Sequence, residues 1–160
     1  MLQQLFNKEV FLLIEFSPPN QSIGYKYSPI FRQISTLFAN QLKPFGITPE
    51  QWTVLYQVHL DEGINQKEIA IRTNKDQPTV TRILDVLDKK QLIIRQIDTL
   101  DRRAFLIYAT PSAHTLINDT LPLELRLNDT VTAGITDQQL HDLQQIMQQI
   151  QHNINQAHQE

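Results

Sequence analysis

The side chains in this chain that are best suited to chemistry are recognition groups rather than reactive ones. The segment Gln77-Pro-Thr-Val-Thr-Arg82 carries an amide and a guanidinium. These two groups form bidentate hydrogen bonds to the edges of adenine and guanine in the DNA major groove. Two adjacent arginines, Arg102 and Arg103, follow where turn residues predict the tip of a β-hairpin. An arginine at a hairpin tip suits the minor groove, so both features point to DNA.

The groups that catalysis or metal binding would need form no recognisable motif. The chain has no cysteine, no Gly-rich phosphate loop and no nucleophile elbow. Its five histidines show neither the H-E-x-x-H spacing nor a shared helix face; they are His59, His114, His141, His152 and His158. The sequence therefore predicts no enzyme, no cofactor and no metal site.

Two capped helices and a hairpin are the elements that must position the DNA-facing residues. Asn65-Gln-Lys-Glu68 predicts the start of a short helix that runs through Arg72, and Asp76 caps a second helix over about residues 77–90. Apolar positions in the second helix fall on one stripe, which leaves the opposite face polar. Residues 92–97 and 104–109 are rich in β-branched and aromatic side chains, so we expect them to form the two strands of a wing.

Further helices flank this lobe on both sides. The apolar spacing predicts a helix from about Ser28 that ends near Gly46, and Thr48-Pro-Glu-Gln51 is a capping box that opens the next. Thr110 starts another, in which we expect a kink at Pro122. Thr136 opens the last, whose narrow apolar seam is typical of a helix that packs on a partner helix. The seam consists of Leu140, Leu143, Met147, Ile150, Ile154 and Ala157.

The first 24 residues allow two interpretations. They form either a short extra helix that packs on a dimer, which we favour, or a strand over residues 10–16. The longest apolar run, residues 10–14, is too short to span a bilayer, which takes about 20 residues. No basic segment precedes it as in a signal peptide. We therefore expect a cytoplasmic protein with no membrane partner.

Charge is distributed unevenly along the chain. The net charge is −3, yet residues 65–103 hold nine cations and six acids, which gives that segment +3 and the remainder −6. A basic middle with acidic ends suits a protein that presents one face to phosphates. Charged side chains on an ordinary protein surface would account for this uneven distribution equally well.

Four blocks of sequence resemble the multiple antibiotic resistance regulator (MarR) family, in the family's order and spacing. They are Gly46-Ile-Thr-Pro-Glu-Gln-Trp52, Gln66-Lys-Glu-Ile-Ala70, Gln77-Pro-Thr-Val-Thr-Arg82 and Asp101-Arg-Arg103. The resemblance extends from about Ser22 to the C-terminus. It implies a mainly α fold, a winged helix-turn-helix lobe with a two-stranded wing, and a helical dimerisation region from both termini. The expected boundaries are 1–46 for the N-terminal segment and first dimerisation helix, 47–110 for the DNA-binding lobe and 111–160 for the C-terminal dimerisation helices.

The chain departs from the family pattern away from the DNA-facing residues. Gln91 stands where the family commonly has Gly between the recognition helix and the wing, and Ala109 and His114 also differ. A non-Gly residue in the left-handed conformation costs about 1 kcal/mol. We therefore expect the helix to end in a different way.

The motifs and the resemblance together assign roles to individual residues. The predicted DNA contacts are Gln66, Lys67, Lys75, Gln77, Pro78, Thr79, Thr81, Arg82, Arg95, Arg102 and Arg103. Arg103 is expected to pair with Asp101 and stiffen the wing, while Arg102 lies nearer its tip. The resemblance also implies a small-molecule pocket that often accepts aromatic carboxylates, for which Arg32, Trp52 and Tyr56 are candidates. The competing interpretation is that Trp52 and Tyr56 fill the core.

The favoured function is a bacterial homodimer that regulates transcription by binding double-stranded DNA at a palindromic operator. It would be a repressor relieved by a small, possibly aromatic, effector. Two recognition helices would have to lie about 34 Å apart to enter successive major grooves. One alternative is a winged-helix module that binds protein through the outer face of the helix at Gln77, which the acidic total charge and Asp85 would favour. Another is a dimer that binds or turns over a small molecule.

Overall fold

The structure, a computed structural model, describes residues 22–98 and 104–157. The chain divides into two compact units, Met1–Glu124 and Leu125–Glu160. The interpretations of residues 1–21 and of the wing tip at Asp101, Arg102 and Arg103 lie outside the described residues.

The described part of the chain is mainly helical, with one small sheet. In chain order its elements are α1 (Ile23–Leu42), a 3-10 turn (Lys43–Phe45), α2 (Pro49–Leu60), β1 (Ile64–Asn65), α3 (Gln66–Thr73), α4 (Gln77–Lys89), β2 (Ile93–Ile97), β3 (Phe105–Ala109), α5 (Pro111–Val131) and α6 (Asp137–Ala157). Helices α3 and α4 form a helix-turn-helix, and β2 and β3 form the wing. The predicted mainly α winged helix-turn-helix fold is confirmed.

Side-chain caps fix where the helices begin. Thr48 makes the reciprocal capping box with Gln51, and Asn65 accepts a hydrogen bond from the Glu68 N–H. The predicted start of α1 near Ser28 is wrong. Ser22 caps the helix by accepting from the Tyr25 N–H, and the helix continues through Pro29. Pro29 therefore lies inside the helix.

The sheet has three antiparallel strands in the order β1-β3-β2. The register of the wing pairs Ile93 with Ala109 and Ile97 with Phe105. Strand β1 adds the pair of Ile64 with Ile107 on the other edge. The sequence predicted only the two strands of the wing, because a two-residue strand is too short to show alternation. β1 leads directly into α3, so the sheet anchors the helix-turn-helix.

One apolar core supports the first unit. The stripe predicted on α4 is buried, and it meets buried residues of α2 and α3 and of the sheet. The fully buried large side chains are Leu42, Val54, Leu55, Val58, Ile69, Val80, Leu84, Leu87, Ile107 and Ile117. With these positions buried, the remaining face of α4 is left at the surface.

Helix α4 ends in a left-handed residue although that residue is not glycine. Gln91 has a φ of 57°. Its N–H donates to the Asp88 carbonyl and the Leu92 N–H donates to the Leu87 carbonyl, which is the hydrogen-bond pair of a Schellman motif. The Thr110 hydroxyl also donates to the Gln91 carbonyl at 2.9 Å. The expectation that Gln91 changes the helix end is therefore wrong, because these bonds hold the left-handed conformation.

The second unit contains the end of α5 and all of α6. Thr136 and Gln139 make the reciprocal hydrogen bonds predicted for a capping box. Helix α6 buries none of its residues within the chain, and Leu143 and Ile154 of its seam are 51% and 45% exposed. Helix α5 runs unbroken from Pro111 to Val131 with Pro122 inside it. None of the helices in residues 22–98 and 104–157 is long and apolar enough to cross a membrane.

Candidate nucleic-acid interface

The turn between α3 and α4 sets the start of the candidate recognition helix. Asn74 ends α3 in the left-handed conformation, with φ 50°, which asparagine tolerates better than most residues. Asp76 then caps α4 by accepting hydrogen bonds from the Thr79 N–H at 2.7 Å and the Thr79 hydroxyl at 2.8 Å. The bond from the Thr79 N–H lowers the pKa of the Asp76 carboxyl, with a further contribution from the hydroxyl. The cap is therefore a carboxylate at neutral pH.

The N-terminal half of α4 presents a polar surface. Gln77, Pro78 and Arg82 are exposed, and Thr79 and Thr81 are partly exposed. Helix geometry places positions i, i+1, i+4 and i+5 side by side. The structure thus places Gln77, Pro78, Thr81 and Arg82 together on one side of α4, with the buried stripe opposite and Thr79 between the two.

Gln66 joins the two helices at the edge of this surface. Its amide nitrogen donates to the Thr81 hydroxyl at 2.6 Å and lies 3.3 Å from the Gln77 carbonyl. The Thr81 hydroxyl in turn donates to the same carbonyl at 2.9 Å. Gln66 was predicted to contact DNA, and in this geometry it also fixes the position of Thr81. Its role at DNA stays a prediction.

Arg95 forms an ion pair with the recognition helix. Its guanidinium lies 2.6 Å from the Asp85 carboxylate and 3.9 Å from that of Asp88. Both acids belong to the exposed side of α4. The pair neutralises acids that would repel phosphates, and it attaches β2 to α4. The guanidinium of Arg95 is thus engaged by Asp85. The predicted contact of Arg95 with phosphate stays a prediction.

Three other predicted cations are available for phosphate. Among the described residues, Lys67, Lys75 and Arg82 form no ion pair. Arg72 differs, because it pairs with Glu68 and Asp61, and hydrogen bonds to these acids raise the pKa of its guanidinium. These three cations therefore lie at the start of α3, in the turn after it and on α4.

The aromatic residues proposed for a ligand pack against each other in the first unit. Trp52 is 7% exposed, and its indole N–H donates to the Thr120 hydroxyl at 2.7 Å. Its ring meets Phe38 edge-on and stacks on Tyr56, with centroids 4.9 Å apart and planes 11° apart. Arg32 is exposed on α1. Trp52 is thus a core residue whose polar group is satisfied, which favours the core interpretation of Trp52.

The structure also gathers a cluster that the sequence did not predict. The Nδ1 atoms of His59 and His114 lie 2.8 Å apart, and the other ring nitrogen of His114 lies 3.0 Å from a Glu62 carboxylate oxygen. The second oxygen of Glu62 accepts a hydrogen bond from the Ala109 N–H at the base of the wing. These residues come from the end of α2, the loop after it and the start of α5, so no local spacing could have revealed them.

Comparison with known proteins gives a family match for the central part of the chain. Residues 47–105 match the model of the MarR family. A MarR-family transcriptional regulator from Rhodococcus sp. RHA1 is 25% identical, with 80% of this chain and 91% of that one covered and a TM-score of 0.70. S. aureus MepR in complex with DNA is 22% identical, with coverages of 82% and 98% and a TM-score of 0.77.

A third structure is CouR from Rhodococcus jostii RHA1 bound to p-coumaroyl-CoA. It is 22% identical to this chain, and the match covers 84% of this chain and 94% of CouR, with a TM-score of 0.72. The matched segment of the family model contains the whole helix-turn-helix and reaches the first residue of β3. Residues 47–105 of the chain thus match the MarR family, whose members are transcription regulators, and the fold is that of the winged helix MarR structures.

Proposed function

We propose that this chain is a homodimeric, sequence-specific DNA-binding regulator, and that α4 enters the major groove. The observation that carries the proposal is the surface of α4, where Gln77, Thr81 and Arg82 are side by side and none of them is buried. A guanidinium and an amide at the start of a recognition helix are the groups that distinguish base edges. The hydrogen bond from Gln66 holds Thr81 in place before DNA arrives, which limits the ordering cost of binding.

The ion pair of Arg95 bears on the alternative of a protein partner. That alternative rested on the acidic total charge and on Asp85. In this geometry Asp85 is 2.6 Å from a guanidinium, so it offers little net charge to a basic partner. The surface that remains available on the helix-turn-helix carries Lys67, Lys75 and Arg82, which suits phosphates better than a basic protein.

The apolar seam of α6 supports the proposed homodimer. Its members recur at helical steps of three and four, and within the chain none of them is buried. The N-terminal half of α1 has the same character, with Ile23, Tyr27 and Phe31 each at least half exposed. Exposed apolar faces of this length are unfavourable in water and usually mark an interface. A second copy of the chain would cover them and place two α4 helices on one side of a duplex.

The repressor role and the response to a small effector extend the proposal by analogy. CouR, a relative in fold, is described as a transcriptional repressor bound to a 23-mer DNA duplex and, in a second structure, is bound to p-coumaroyl-CoA. In this chain Tyr56 is partly exposed beside Trp52 and could accept the ring of an aromatic acid. Arg32 is the candidate for its carboxylate. An effector shifts the equilibrium only by its differential affinity for the two states.

The test begins by selecting the preferred operator from a pool of random duplexes with the full chain. Fluorescence anisotropy then compares this operator with a scrambled duplex over a series of salt concentrations. We expect tighter binding to the operator and an affinity that falls steeply with salt. Equal affinity for both duplexes at moderate salt would remove the proposal. Sedimentation equilibrium measures the dimer separately, and a monomer at micromolar concentration would contradict the proposed assembly.

A panel of aromatic acids tests the effector in the same assay. We expect at least one to release the operator, and Arg32→Ala to weaken that release without changing binding of the free protein to DNA. No release across the panel would remove Arg32 and Tyr56 as effector contacts. Retained regulation after Arg82→Ala and Arg102→Ala together would instead favour a protein partner.

A further inference from the structure

We propose that His59 and His114 bind a divalent transition-metal ion through their Nδ1 atoms, and that Glu62 orients His114 for this role. This site would lie in the first unit, at the junction of α2, the base of the wing and α5. None of its residues is among the predicted DNA contacts, so its existence does not depend on the proposed function.

The Nδ1 atoms of the two rings already converge on one point. They are 2.8 Å apart, and the ring centroids are 4.9 Å apart with planes tilted by 57°. Two imidazoles bound to one ion at about 2.05 Å, at angles between 90° and 109°, place their nitrogens about 2.9–3.4 Å apart and their centroids about 4.5–5.2 Å apart. The observed centroid distance falls inside that range, whereas the observed Nδ1 separation is about 0.1 Å below it. Rotation of the rings about their side-chain bonds would widen that separation and admit an ion.

Glu62 selects the tautomer of His114 that a metal requires. Its carboxylate accepts the proton on Nε2 of His114 at 3.0 Å, so Nδ1 of that ring carries the lone pair. A metal-bound histidine usually donates its other N–H to a carboxylate in this way, and the contact fixes the ring. Glu62 is itself held by the Ala109 N–H at 3.0 Å.

With His114 in that tautomer, its Nδ1 lone pair accepts the Nδ1 proton of His59. Binding of an ion requires His59 to move that proton to its Nε2, after which both Nδ1 atoms are donors of electron pairs. No net proton needs to leave the pair when both rings start neutral.

The chemistry of the donors selects the class of ion. Neutral imidazole suits Zn²⁺, Ni²⁺ and Cu²⁺, whereas Mg²⁺ and Ca²⁺ prefer oxygen ligands. No group of three or more possible metal ligands occurs within residues 22–98 and 104–157. The chain would therefore supply two ligands, and water or an anion would complete the coordination shell. The side chains of His114 and Glu62 are each 39% exposed, which gives the ion a path to the site.

The experiment titrates the full chain, free of DNA, with Zn²⁺ alone by isothermal titration calorimetry, and with Cu²⁺ alone by electron paramagnetic resonance. We expect one Zn²⁺ per chain at this site and a Cu²⁺ spectrum with superhyperfine splitting from two nitrogens. His59→Gln and His114→Gln should each abolish this stoichiometric binding. Glu62→Gln should weaken it about 10- to 100-fold, the usual effect of losing an orienting carboxylate. His141→Gln is the matched control, because His141 lies on α6 in the second unit, where its ring is 3.0 Å from the Gln145 amide nitrogen.

Thermal unfolding with and without Zn²⁺ separates lost binding from lost folding. Zn²⁺ should raise the melting temperature of the wild type and of His141→Gln but not of the His59 or His114 variants, provided that circular dichroism shows those variants folded. If neither histidine variant folds, the Zn²⁺ affinity of Glu62→Gln is compared with that of the wild type, and it should be weaker. Absence of Zn²⁺ binding by the wild type would overturn the proposal. So would binding that persists undiminished in folded His59→Gln or in folded Glu62→Gln.

Discussion

Substitution of Arg82 by alanine should reduce the affinity for the operator far more than the affinity for random DNA. Arg82 lies on the exposed side of α4, one and a half turns from its start. Lys89, at the other end of the helix, is also exposed and provides a control. Seven residues separate the two, which is about 20° short of two full turns and about 10 Å along the axis. They share a face and a charge and differ in distance from the helix start.

The expected magnitude follows from the contact that each cation can make. A bidentate hydrogen bond from arginine to guanine contributes about 1–3 kcal/mol of discrimination. That corresponds to a change of about 5- to 150-fold in Kd for each half-site. A dimer on a palindrome loses the contact twice, so the total reaches about 2–6 kcal/mol. Lys89, near the C-terminal end that usually faces away from the bases, should affect both duplexes equally and slightly.

The assay is an anisotropy titration of the wild type, Arg82→Ala and Lys89→Ala against the selected operator and a scrambled duplex. Base recognition by Arg82 predicts that the ratio of the two affinities falls towards one for Arg82→Ala and stays at the wild-type value for Lys89→Ala. Circular dichroism checks that both variants remain folded. An equal loss on both duplexes for Arg82→Ala would refute base recognition by Arg82 and leave it a phosphate contact.

Three further predictions concern stability, measured by urea unfolding at fixed protein concentration. Gln91→Gly should raise the free energy of unfolding by about 1 kcal/mol, because Gln91 is exposed and has a φ of 57°. Asn74→Gly should raise that free energy by less, because asparagine tolerates the left-handed conformation better than glutamine does. A lower free energy of unfolding for Gln91→Gly would contradict the assigned helix end. Thr120→Val should cost about 1–3 kcal/mol, because the buried indole N–H of Trp52 loses its acceptor, and an unchanged midpoint would show that the N–H finds another partner. The folded state lowers the pKa of Asp76, so its charge stabilises the protein above the unfolded value near 3.8, and that contribution is lost as pH falls through the folded value. The wild type should therefore exceed Asp76→Asn in stability at neutral pH and lose that advantage in acid; a constant difference between pH 7 and pH 3 would show that the carboxylate charge is not what matters.

Local signals in the sequence determined most of the helices and the wing. The caps at Thr48, Asn65, Asp76 and Thr136 each satisfy backbone N–H groups that are otherwise unpaired, so the side chain and the helix start are linked over three residues. The apolar stripe of α4 is set by the helical period in the same local way. The start of α1 was predicted six residues late, because the apolar spacing becomes regular only from about Ser28, whereas the cap is Ser22.

Contacts between distant parts of the chain could not be predicted from the sequence. The ion pair of Arg95 with Asp85 depends on how β2 packs beside α4, and it gives a different use to a cation that charge alone assigned to phosphate. His59 and His114 are 55 residues apart, and only the packing of α2 near the start of α5 brings their rings together. The polar face of α4 was predictable, whereas its support by Gln66 was not.

Methylation protection of guanine N7 by dimethyl sulfate on the bound operator tests the central claim most directly, because N7 lies in the major groove. Insertion of two α4 helices predicts two protected clusters about 10 base pairs apart, on one side of the duplex. It also predicts that Arg82→Ala exposes a guanine in each cluster. Full affinity for the operator with every guanine N7 in it still reactive, or with one protected cluster only, would contradict the account.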